Sequence, residues 1–338
     1  MPTSVRLLLR RATALLISAV CIASPVRWAH HDQRSPVSTP TADNSLTAAD
    51  ARDAIVRNSQ KLWAQGSLPD ARTFDAWLKQ PSGETLNLLS PSSEELGPRA
   101  IAKRAAASHL RIGWVFQCSK CSNWHANLGG AYALTKSAVA TAYHVLQKPD
   151  RMKPDSGYAI AVRGDQEILV ISGVLAADAV SDAAIVGLRA EDLEPIALSE
   201  TAEVGDAAYC LSEPSGGRPY FSAGMVNRFT KDPDAKSADP RWQRMNVSTD
   251  WAPGSSGSAV LDVFGNAIGH VGSITSINGD RKGNEAAPHY MAVHWATPAV
   301  HVLRLADPAR FTIVPTPTAS PAIQKGNATR GETDSNPP

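Results

Sequence analysis

Residues 252–260 read Ala-Pro-Gly-Ser-Ser-Gly-Ser-Ala-Val, a glycine turn rich in serine that leads directly into an apolar run. A serine hydroxyl becomes a nucleophile when a turn exposes it, a base removes its proton and backbone amides stabilise the oxyanion. Gly254 and Gly257 give this turn the freedom to aim amides inward. The same letters are also typical of an ordinary turn between strands, so this segment alone leaves both interpretations open.

Two polar residues beside apolar runs add to this segment. Residues 138–146 read Ala-Val-Ala-Thr-Ala-Tyr-His-Val-Leu, so that His144 closes an apolar strand, and Asp182 directly precedes the apolar run 183–188. Taken singly, such a histidine is more typical of a structural hydrogen bond, and such an aspartate of a turn or cap. Taken together, His144, Asp182 and Ser256 follow the chain order His, Asp, Ser of one class of catalytic triad.

The three motifs resemble those of the trypsin-like (chymotrypsin-fold) serine proteases, in particular the bacterial secreted and HtrA-type members. Thr-Ala-Tyr-His at 141–144 is similar to the family's Thr-Ala-Ala-His, Ser-Asp-Ala-Ala-Ile-Val at 181–186 to its Asn-Asp-Ile-Ala-Leu, and Gly-Ser-Ser-Gly-Ser-Ala at 254–259 to its Gly-Asp-Ser-Gly-Gly-Pro. Ser258 and Ala259 replace the family's second glycine and proline, and both changes are small. The resemblance covers roughly residues 106–308 and implies a member without a PDZ domain.

This resemblance implies a role for each residue. Ser256 would be the nucleophile, His144 the general base and then the acid, and Asp182 the residue that orients the imidazole. The amides of Gly254 and Ser256 would form the oxyanion hole. No metal or organic cofactor is expected, because this chemistry needs neither, and the substrates would be proteins or peptides.

Each role has a rival nearby in the sequence. Ser255 and Ser258 share the turn with Ser256, but only Ser256 lies two residues after one glycine and just before another. Asp178 is the rival of Asp182, but only Asp182 directly precedes the apolar run. We therefore predict Ser256 and Asp182.

The resemblance also places two residues at the primary specificity pocket. Asp250 lies six residues before Ser256, where trypsin-like enzymes have an acid that favours Arg or Lys in the substrate. Alternatively, Asp250 caps the turn before Trp251. Ile274 falls where the family lines the pocket entrance, and it would occupy space that a long basic side chain needs. The specificity is left open.

Twelve apolar or alternating runs between residues 112 and 294 predict strands, most of them separated by Gly, Pro, Asp or Asn clusters. Twelve strands suit an all-β fold of two packed six-stranded antiparallel barrels. The resemblance implies that the active site lies in the cleft between them, within a protease domain at residues 106–312. Residues 298–305 predict a terminal helix, and residues 313–338 a disordered tail.

The N-terminal region predicts export. In residues 1–23, arginines precede an apolar run that is too short to span a bilayer, which is typical of a signal peptide. An uncleaved anchor helix is the alternative. Residues 24–105 predict a partly disordered extension with helices near 46–63, 72–79 and 98–110. This extension is either a solvated pro-region or packing element, or an inhibitory propeptide or partner-docking arm.

Three cysteines lie beyond the signal peptide. Cys118 and Cys121 form a C-x-x-C followed by Trp124-His125. Three interpretations compete: a local disulfide, which an exported compartment favours; a redox pair, which lacks a thioredoxin-like context; and half a zinc site with His125 and Cys210, which lacks a second ligand pair. We predict a Cys118–Cys121 disulfide, no metal, and Cys210 as a buried free thiol.

The chain has 33 basic and 32 acidic residues and a net charge of +1. This balance excludes attraction of nucleic acid or of an anionic membrane through the net charge of the chain. The sequence therefore predicts an exported serine endopeptidase, periplasmic or secreted, without nucleic-acid partners and without membrane association after signal cleavage. The oligomeric state is left open. The alternative is a catalytically silent protease-fold module for binding or chaperone-like holding. An esterase of the α/β-hydrolase class is not favoured, because the sequence has no Gly-x-Ser-x-Gly elbow and the triad of that class has a different chain order.

Overall fold

A computed structural model of the chain describes residues 47–216, 218–232, 235, 238–279 and 288–311. The described residues form four α-helices: α1 Ala48–Ala64, α2 Ala71–Lys79, α3 Pro98–Ser108 and α4 Ala299–Ala306. None of these helices is long and apolar enough to cross a membrane. The predicted signal peptide and C-terminal tail lie outside the described residues.

The first half of the described chain forms one antiparallel sheet of seven strands. Their bounds are β1 His109–Cys118, β2 Trp124–Ala133, β3 Ala138–Thr141, β4 Met152–Arg163, β5 Glu167–Leu169, β6 Ile171–Asp178 and β7 Ala183–Leu188. The strand order is β5-β4-β1-β2-β3-β7-β6. Since β5 and β6 lie at opposite edges of this order but only Val170 separates them in sequence, the sheet must curl until its two edges approach each other.

The second half forms a closed antiparallel barrel of six strands. They are β8 Ala207–Ser212, β9 Tyr220–Lys231, β10 Gln243–Val247, β11 Ala259–Leu261, β12 Ala267–Asn278 and β13 His289–Pro298. The order around the barrel is β10-β13-β12-β11-β8-β9. Closure leaves no free sheet edge, and the interior is filled by apolar side chains, among them Val226, Met245 and Val260.

The predicted all-β, chymotrypsin-like fold is confirmed, with two differences in the first unit, which is a curled sheet rather than a closed barrel and has one additional strand. One of the twelve runs predicted as strands, residues 167–174, is divided at Val170 into β5 and β6. Leu169 pairs with Ala161 in β4, and Ile171 pairs with Leu188 in β7. An apolar run predicts burial but not a change of pairing partner, so the first sheet has seven strands rather than six.

The three N-terminal helices pack on this frame. Thr47 and Asp50 form a capping box that starts α1, and the Asp70 side chain caps α2 by accepting from the Thr73 amide. The Phe74 ring of α2 lies edge-on to Trp114 of β1, with 5.2 Å between ring centroids. The described part of the N-terminal extension is therefore an ordered part of the fold.

A shared core joins the sheet to the barrel. It contains Tyr132 of β2, Ile185 of β7, Leu211 of β8, Leu261 of β11 and Val302 of α4, all buried. The predicted terminal helix is observed as α4, which belongs to this shared core. Packing of this kind fixes the relative position of loops that leave the two sheets on the same side.

Candidate active site

The turn that carries Ser256 requires glycine at two positions. Gly254 and Gly257 have φ angles of +99° and +87°, in the left-handed region that glycine adopts most easily. A Cβ on Gly257 would lie 2.2 Å from the Gly130 carbonyl oxygen and 2.9 Å from the Ala142 amide nitrogen. The backbone of this turn is thus packed directly against β2 and against the segment that follows β3.

The three serines of the turn differ in exposure. Ser255 and Ser258 are fully buried, and Ser256 is half-buried. The Ser255 hydroxyl accepts a hydrogen bond from the Ala252 amide at 3.4 Å. Of the three hydroxyls on this turn, only that of Ser256 can therefore reach a molecule in solution. This favours Ser256 over its two rivals.

His144 and Asp182 form a direct pair. His144 lies in a short 3-10 helix, Tyr143–Leu146, immediately after β3. Its Nδ1 lies 2.9 Å from Asp182 Oδ2, and its backbone amide donates to Asp182 Oδ1 at 3.0 Å. The His144 side chain is 43% exposed and that of Asp182 is 20% exposed. One carboxylate therefore fixes both the ring and the backbone of the histidine.

The pair shifts the acidity of both groups. Burial of the imidazole opposes its protonation, but the hydrogen bond to Asp182 and the charge of that carboxylate outweigh burial and raise the pKa of His144 above its ordinary value. Burial also opposes ionisation of Asp182, but the ring and amide of His144 outweigh it and lower the pKa of Asp182. Asp182 is thus ionised at neutral pH and favours the imidazolium form of His144.

The backbone at Asp182 directs its carboxylate toward His144. Asp182 has a φ of +57°, a conformation that aspartate tolerates better than most residues. The rival Asp178 is engaged elsewhere: its carboxylate accepts from the Ser181 hydroxyl at 2.8 Å and lies 3.3 Å from Arg241 Nη1. Asp178 therefore holds the turn together, and Asp182 faces the histidine.

His270 of β12 supports this turn from the barrel side, a contact that the sequence analysis does not predict. It is fully buried, and burial lowers the pKa of its imidazole, so the ring is neutral. Its Nε2–H donates to the Asp182 carbonyl oxygen at 2.9 Å. The only sequence signal is a histidine within the apolar strand after the serine turn.

Gly129 of β2 is the point where the histidine and serine turns meet. A Cβ on Gly129 would lie 2.6 Å from Val145 Cγ2 and 2.7 Å from the Ser256 carbonyl oxygen. That oxygen accepts a hydrogen bond from the Gly130 amide at 2.7 Å. The segment beside His144 and the backbone of Ser256 therefore both pack against the Gly129–Gly130 pair. The sequence alone does not predict this role for the two glycines.

The hydroxyl of Ser256 has a hydrogen-bond partner other than His144. It donates to the Gly272 carbonyl oxygen at 3.4 Å, near the long limit for such a bond. Within the described chain, no hydrogen bond joins Ser256 Oγ to His144. Ser256 is therefore held mainly by its backbone, whose carbonyl accepts from the Gly130 amide, and only weakly by its side chain.

The amides of Gly254 and Ser256 are available for a ligand. Neither amide donates a hydrogen bond to any residue that the structure describes. A neighbouring loop supports them, because the Ser215 amide donates to the Pro253 carbonyl oxygen at 2.6 Å. Backbone amides without a partner at a glycine turn are suited to stabilise a negatively charged oxygen.

The two predicted specificity residues lie on the barrel. Asp250 is exposed, and its Oδ2 accepts from the Tyr220 hydroxyl at 3.4 Å. Among the described residues, no backbone amide donates to this carboxylate, so the capping interpretation finds no hydrogen bond. Ile274 is on β12 and 36% exposed. Neither observation tests the predicted pocket role.

The cysteines do not form the predicted disulfide. Cys118, Cys121 and Cys210 are all free thiols, so the Cys118–Cys121 disulfide is not confirmed. The Lys120 amide donates to Cys118 Sγ and lowers the pKa of that thiol. Cys210 is buried in the barrel as predicted, and burial raises the pKa of its thiol to about 12.

Comparisons with known proteins find one family model and several solved structures. A model of the trypsin-like peptidase domain matches residues 129–269, which include His144, Asp182 and Ser256. No curated relative matches the chain.

Solved structures that are similar to this chain include three proteases. The serine endoprotease from Yersinia pestis is 16% identical over 63% of this chain and 68% of its own, with a TM-score of 0.43. Deg5 is 15% identical over 61% of this chain and 90% of its own, with a TM-score of 0.45. The HtrA-type protease AlgW, solved with a tripeptide, is 16% identical over 63% of this chain and 64% of its own, with a TM-score of 0.45.

Proposed function

We propose that this chain, which carries a trypsin-like peptidase domain, is a serine endopeptidase that uses Ser256, His144 and Asp182. The observation that carries the proposal is the combination of a formed His144–Asp182 pair, at 2.9 Å, with one accessible hydroxyl on the adjoining glycine turn. An ionised carboxylate behind an imidazole, next to an exposed serine, is the arrangement that acyl transfer requires.

The mechanism follows from which atoms are free. His144 Nδ1 is occupied by Asp182, so Nε2 is the nitrogen that takes the Ser256 proton. For this step the Ser256 hydroxyl leaves the Gly272 carbonyl and turns toward Nε2. Its oxygen then attacks the peptide carbonyl, and His144 passes the proton to the leaving amine. Water completes the cycle through the same base.

The developing negative charge needs donors that are already in place. The amides of Gly254 and Ser256 supply two, and loss of one such donor in other serine proteases costs on the order of 10²–10³ in kcat. The turn that carries these amides depends on the positive φ angles of Gly254 and Gly257, which glycine adopts most easily. No metal or organic cofactor takes part in these steps.

Substrates of this enzyme are proteins or peptides. We expect export to the periplasm or outside the cell, on the basis of the charged and apolar segment at residues 1–23. The near-neutral net charge of +1 offers no bulk attraction for nucleic acid or anionic lipid.

The preference at the cleaved bond depends on Asp250 and Ile274. An exposed Asp250 carboxylate that accepts a long hydrogen bond from the Tyr220 hydroxyl, at 3.4 Å, is placed at the surface where it can pair with a basic substrate side chain. A peptide-library cleavage profile of the wild type against Asp250→Ser decides this point. A loss of Arg and Lys preference in the variant supports the pocket role, and an unchanged profile excludes it.

One observation favours the alternative of a catalytically silent module. The Ser256 hydroxyl donates to Gly272 rather than to His144, as it would if the triad were held in an inactive arrangement. Catalytic hydrogen bonds are often long or misaligned before substrate binds, and a 3.4 Å bond is weak enough to exchange. We therefore retain the enzyme as the conclusion.

Peptide hydrolysis by matched serine variants tests the proposal. We expect Ser256→Ala to lower kcat by several orders of magnitude, as triad removal does in other proteases. Ser255→Ala is the matched control on the same turn and should keep most of the activity. Thermal unfolding of both variants checks that each is folded. An active Ser256→Ala variant would refute the assignment.

A further inference from the structure

The tip of the β1–β2 hairpin carries a cluster of soft ligands that the proposed protease chemistry does not use. Cys118, Cys121 and His125 each direct one ligand atom to the same place, and these atoms all lie within 4.8 Å of one another. Cys121 Sγ and His125 Nε2 are 3.1 Å apart. Cys118 is buried, and Cys121 and His125 are exposed.

The hairpin backbone holds this cluster. The Cys118 amide donates to the Asn123 carbonyl oxygen at 2.8 Å, and the Ser122 amide donates back to the Cys118 carbonyl oxygen at 3.0 Å. Ser122 has a φ of +59°, which tightens the turn. His125 lies opposite Phe116 in the strand register, which places its ring on the same end of the hairpin as the two sulfur atoms.

The surroundings of Cys118 suit a metal-bound thiolate. The Lys120 amide donates to Cys118 Sγ at 3.4 Å, the type of backbone contact that stabilises negative charge on sulfur. Two thiolates and a neutral imidazole compensate the charge of a divalent cation. Sulfur and imidazole nitrogen together select a borderline-soft metal such as Zn²⁺ over Mg²⁺ or Ca²⁺.

We propose that Cys118, Cys121 and His125 form a Zn²⁺-binding site with three protein ligands and an open fourth position. Around a tetrahedral Zn²⁺, two sulfur atoms are about 3.8 Å apart and a sulfur and a nitrogen about 3.5 Å apart, given Zn–S and Zn–N bonds of about 2.3 and 2.0 Å. The ligand atoms of this cluster, which all lie within 4.8 Å of one another, are close to those separations. Binding releases the protons of both thiols to solvent.

The sequence alternative of a site shared with Cys210 does not fit. Cys210 belongs to β8 and is packed in the core of the barrel, with Val226 and Val260. Cys118 belongs to the core of the first sheet. The fourth ligand is therefore water or a group of a bound molecule, as in zinc sites with an open position.

The cluster lies in a groove that it shares with the proposed catalytic histidine. Cys118, Cys121 and His125 line a groove of about 730 Å³ that is also lined by His144. Lys120 and Arg151 lie along the same groove. The ion would fix the hairpin that forms one wall beside the histidine. The site stands on the hairpin geometry alone and does not depend on the proposed peptidase activity.

Metal binding by the full chain tests this site directly. The protein is reduced with a phosphine, freed of metal and titrated with Zn²⁺, and separately with Co²⁺. We expect one Zn²⁺ per chain, a higher melting temperature with Zn²⁺, and a sulfur-to-cobalt charge-transfer band together with visible bands of tetrahedral Co²⁺.

Matched variants separate this site from others. Cys121→Ser and His125→Ala change exposed residues and should each weaken Zn²⁺ binding at least about tenfold, whereas Cys210→Ser should bind as the wild type does. Cys118→Ser serves as a third variant if it folds. The proposal is overturned if the reduced wild type takes up no Zn²⁺ beyond the level of Cys121→Ser, or if Cys121→Ser and His125→Ala bind it unchanged.

Discussion

His144 and Asp182, from the first sheet, are hydrogen-bonded to each other at 2.9 Å, whereas Ser256, from the barrel, directs its hydroxyl to the Gly272 carbonyl oxygen at 3.4 Å. The first region is defined by side chains and by charge. The second is defined by backbone: its two glycines force the turn, and the Ser256 side chain is held weakly. The charged pair is thus already formed, and in the proposed mechanism Ser256 reaches His144 by a rotation of its side chain.

The largest effect on activity is expected when the charge of the His144–Asp182 pair is removed. Asp182→Asn keeps the size of the side chain but removes the charge that stabilises protonated His144 and that selects its tautomer. We expect kcat for peptide hydrolysis to fall by about 10⁴-fold, with little loss of folding. A decrease of less than tenfold, in a variant with an unchanged melting temperature, would show that the pair does not drive the reaction.

The role of the glycine turn that carries Ser256 is tested by Gly257→Ala. The added Cβ would lie 2.2 Å from the Gly130 carbonyl oxygen at a φ of +87°, so the turn must move. A displacement of about 1 Å costs on the order of 10² in kcat/KM, and the strained backbone costs about 1–3 kcal/mol of stability.

Gly66→Ala is the matched control for that variant. Gly66 also has a positive φ, +69°, but nothing lies within 4 Å of its added Cβ. We expect Gly66→Ala to lower the melting temperature and to leave kcat/KM unchanged. Equal losses of activity in both variants would mean that the serine turn has no special role.

A smaller effect is expected in the pH profile. Catalysis needs neutral His144, and Asp182 raises the pKa of that imidazole above its ordinary value of 6.5. Activity should therefore fall as the pH drops through a midpoint above 6.5, because protonation removes the base. Residual activity of Asp182→Asn should lose this upward shift. A wild-type midpoint below 6.5 would contradict the pairing.

The three residues of the proposed triad could be predicted from the sequence because each lies near an apolar run that predicts a strand. Asp182 precedes β7, His144 follows β3, and Ser256 precedes β11, so the motifs carry both chemistry and position. The order of the three motifs then selects a fold in which separate sheets bring them together.

Other parts of the site depend on contacts between distant elements. His270 and Asp182 are 88 residues apart in the sequence. Their hydrogen bond depends on how the barrel packs on the first sheet. In the sequence, Gly129 and Gly130 indicate an interrupted strand. In the structure, the serine turn packs on these two glycines. The cysteine pair was ambiguous because spacing alone does not distinguish a disulfide from metal ligands; the position of His125 depends on the hairpin register.

Active-site labelling shows whether His144 activates the Ser256 hydroxyl. The full chain is treated with a fluorophosphonate probe, which reacts with a serine only when a base activates it, and the modified residue is located by peptide mass spectrometry. We predict stoichiometric labelling at Ser256 that is lost in His144→Ala and kept in Ser255→Ala. Absence of labelling in folded wild-type protein, or labelling at Ser256 that persists unchanged in His144→Ala, would contradict the account.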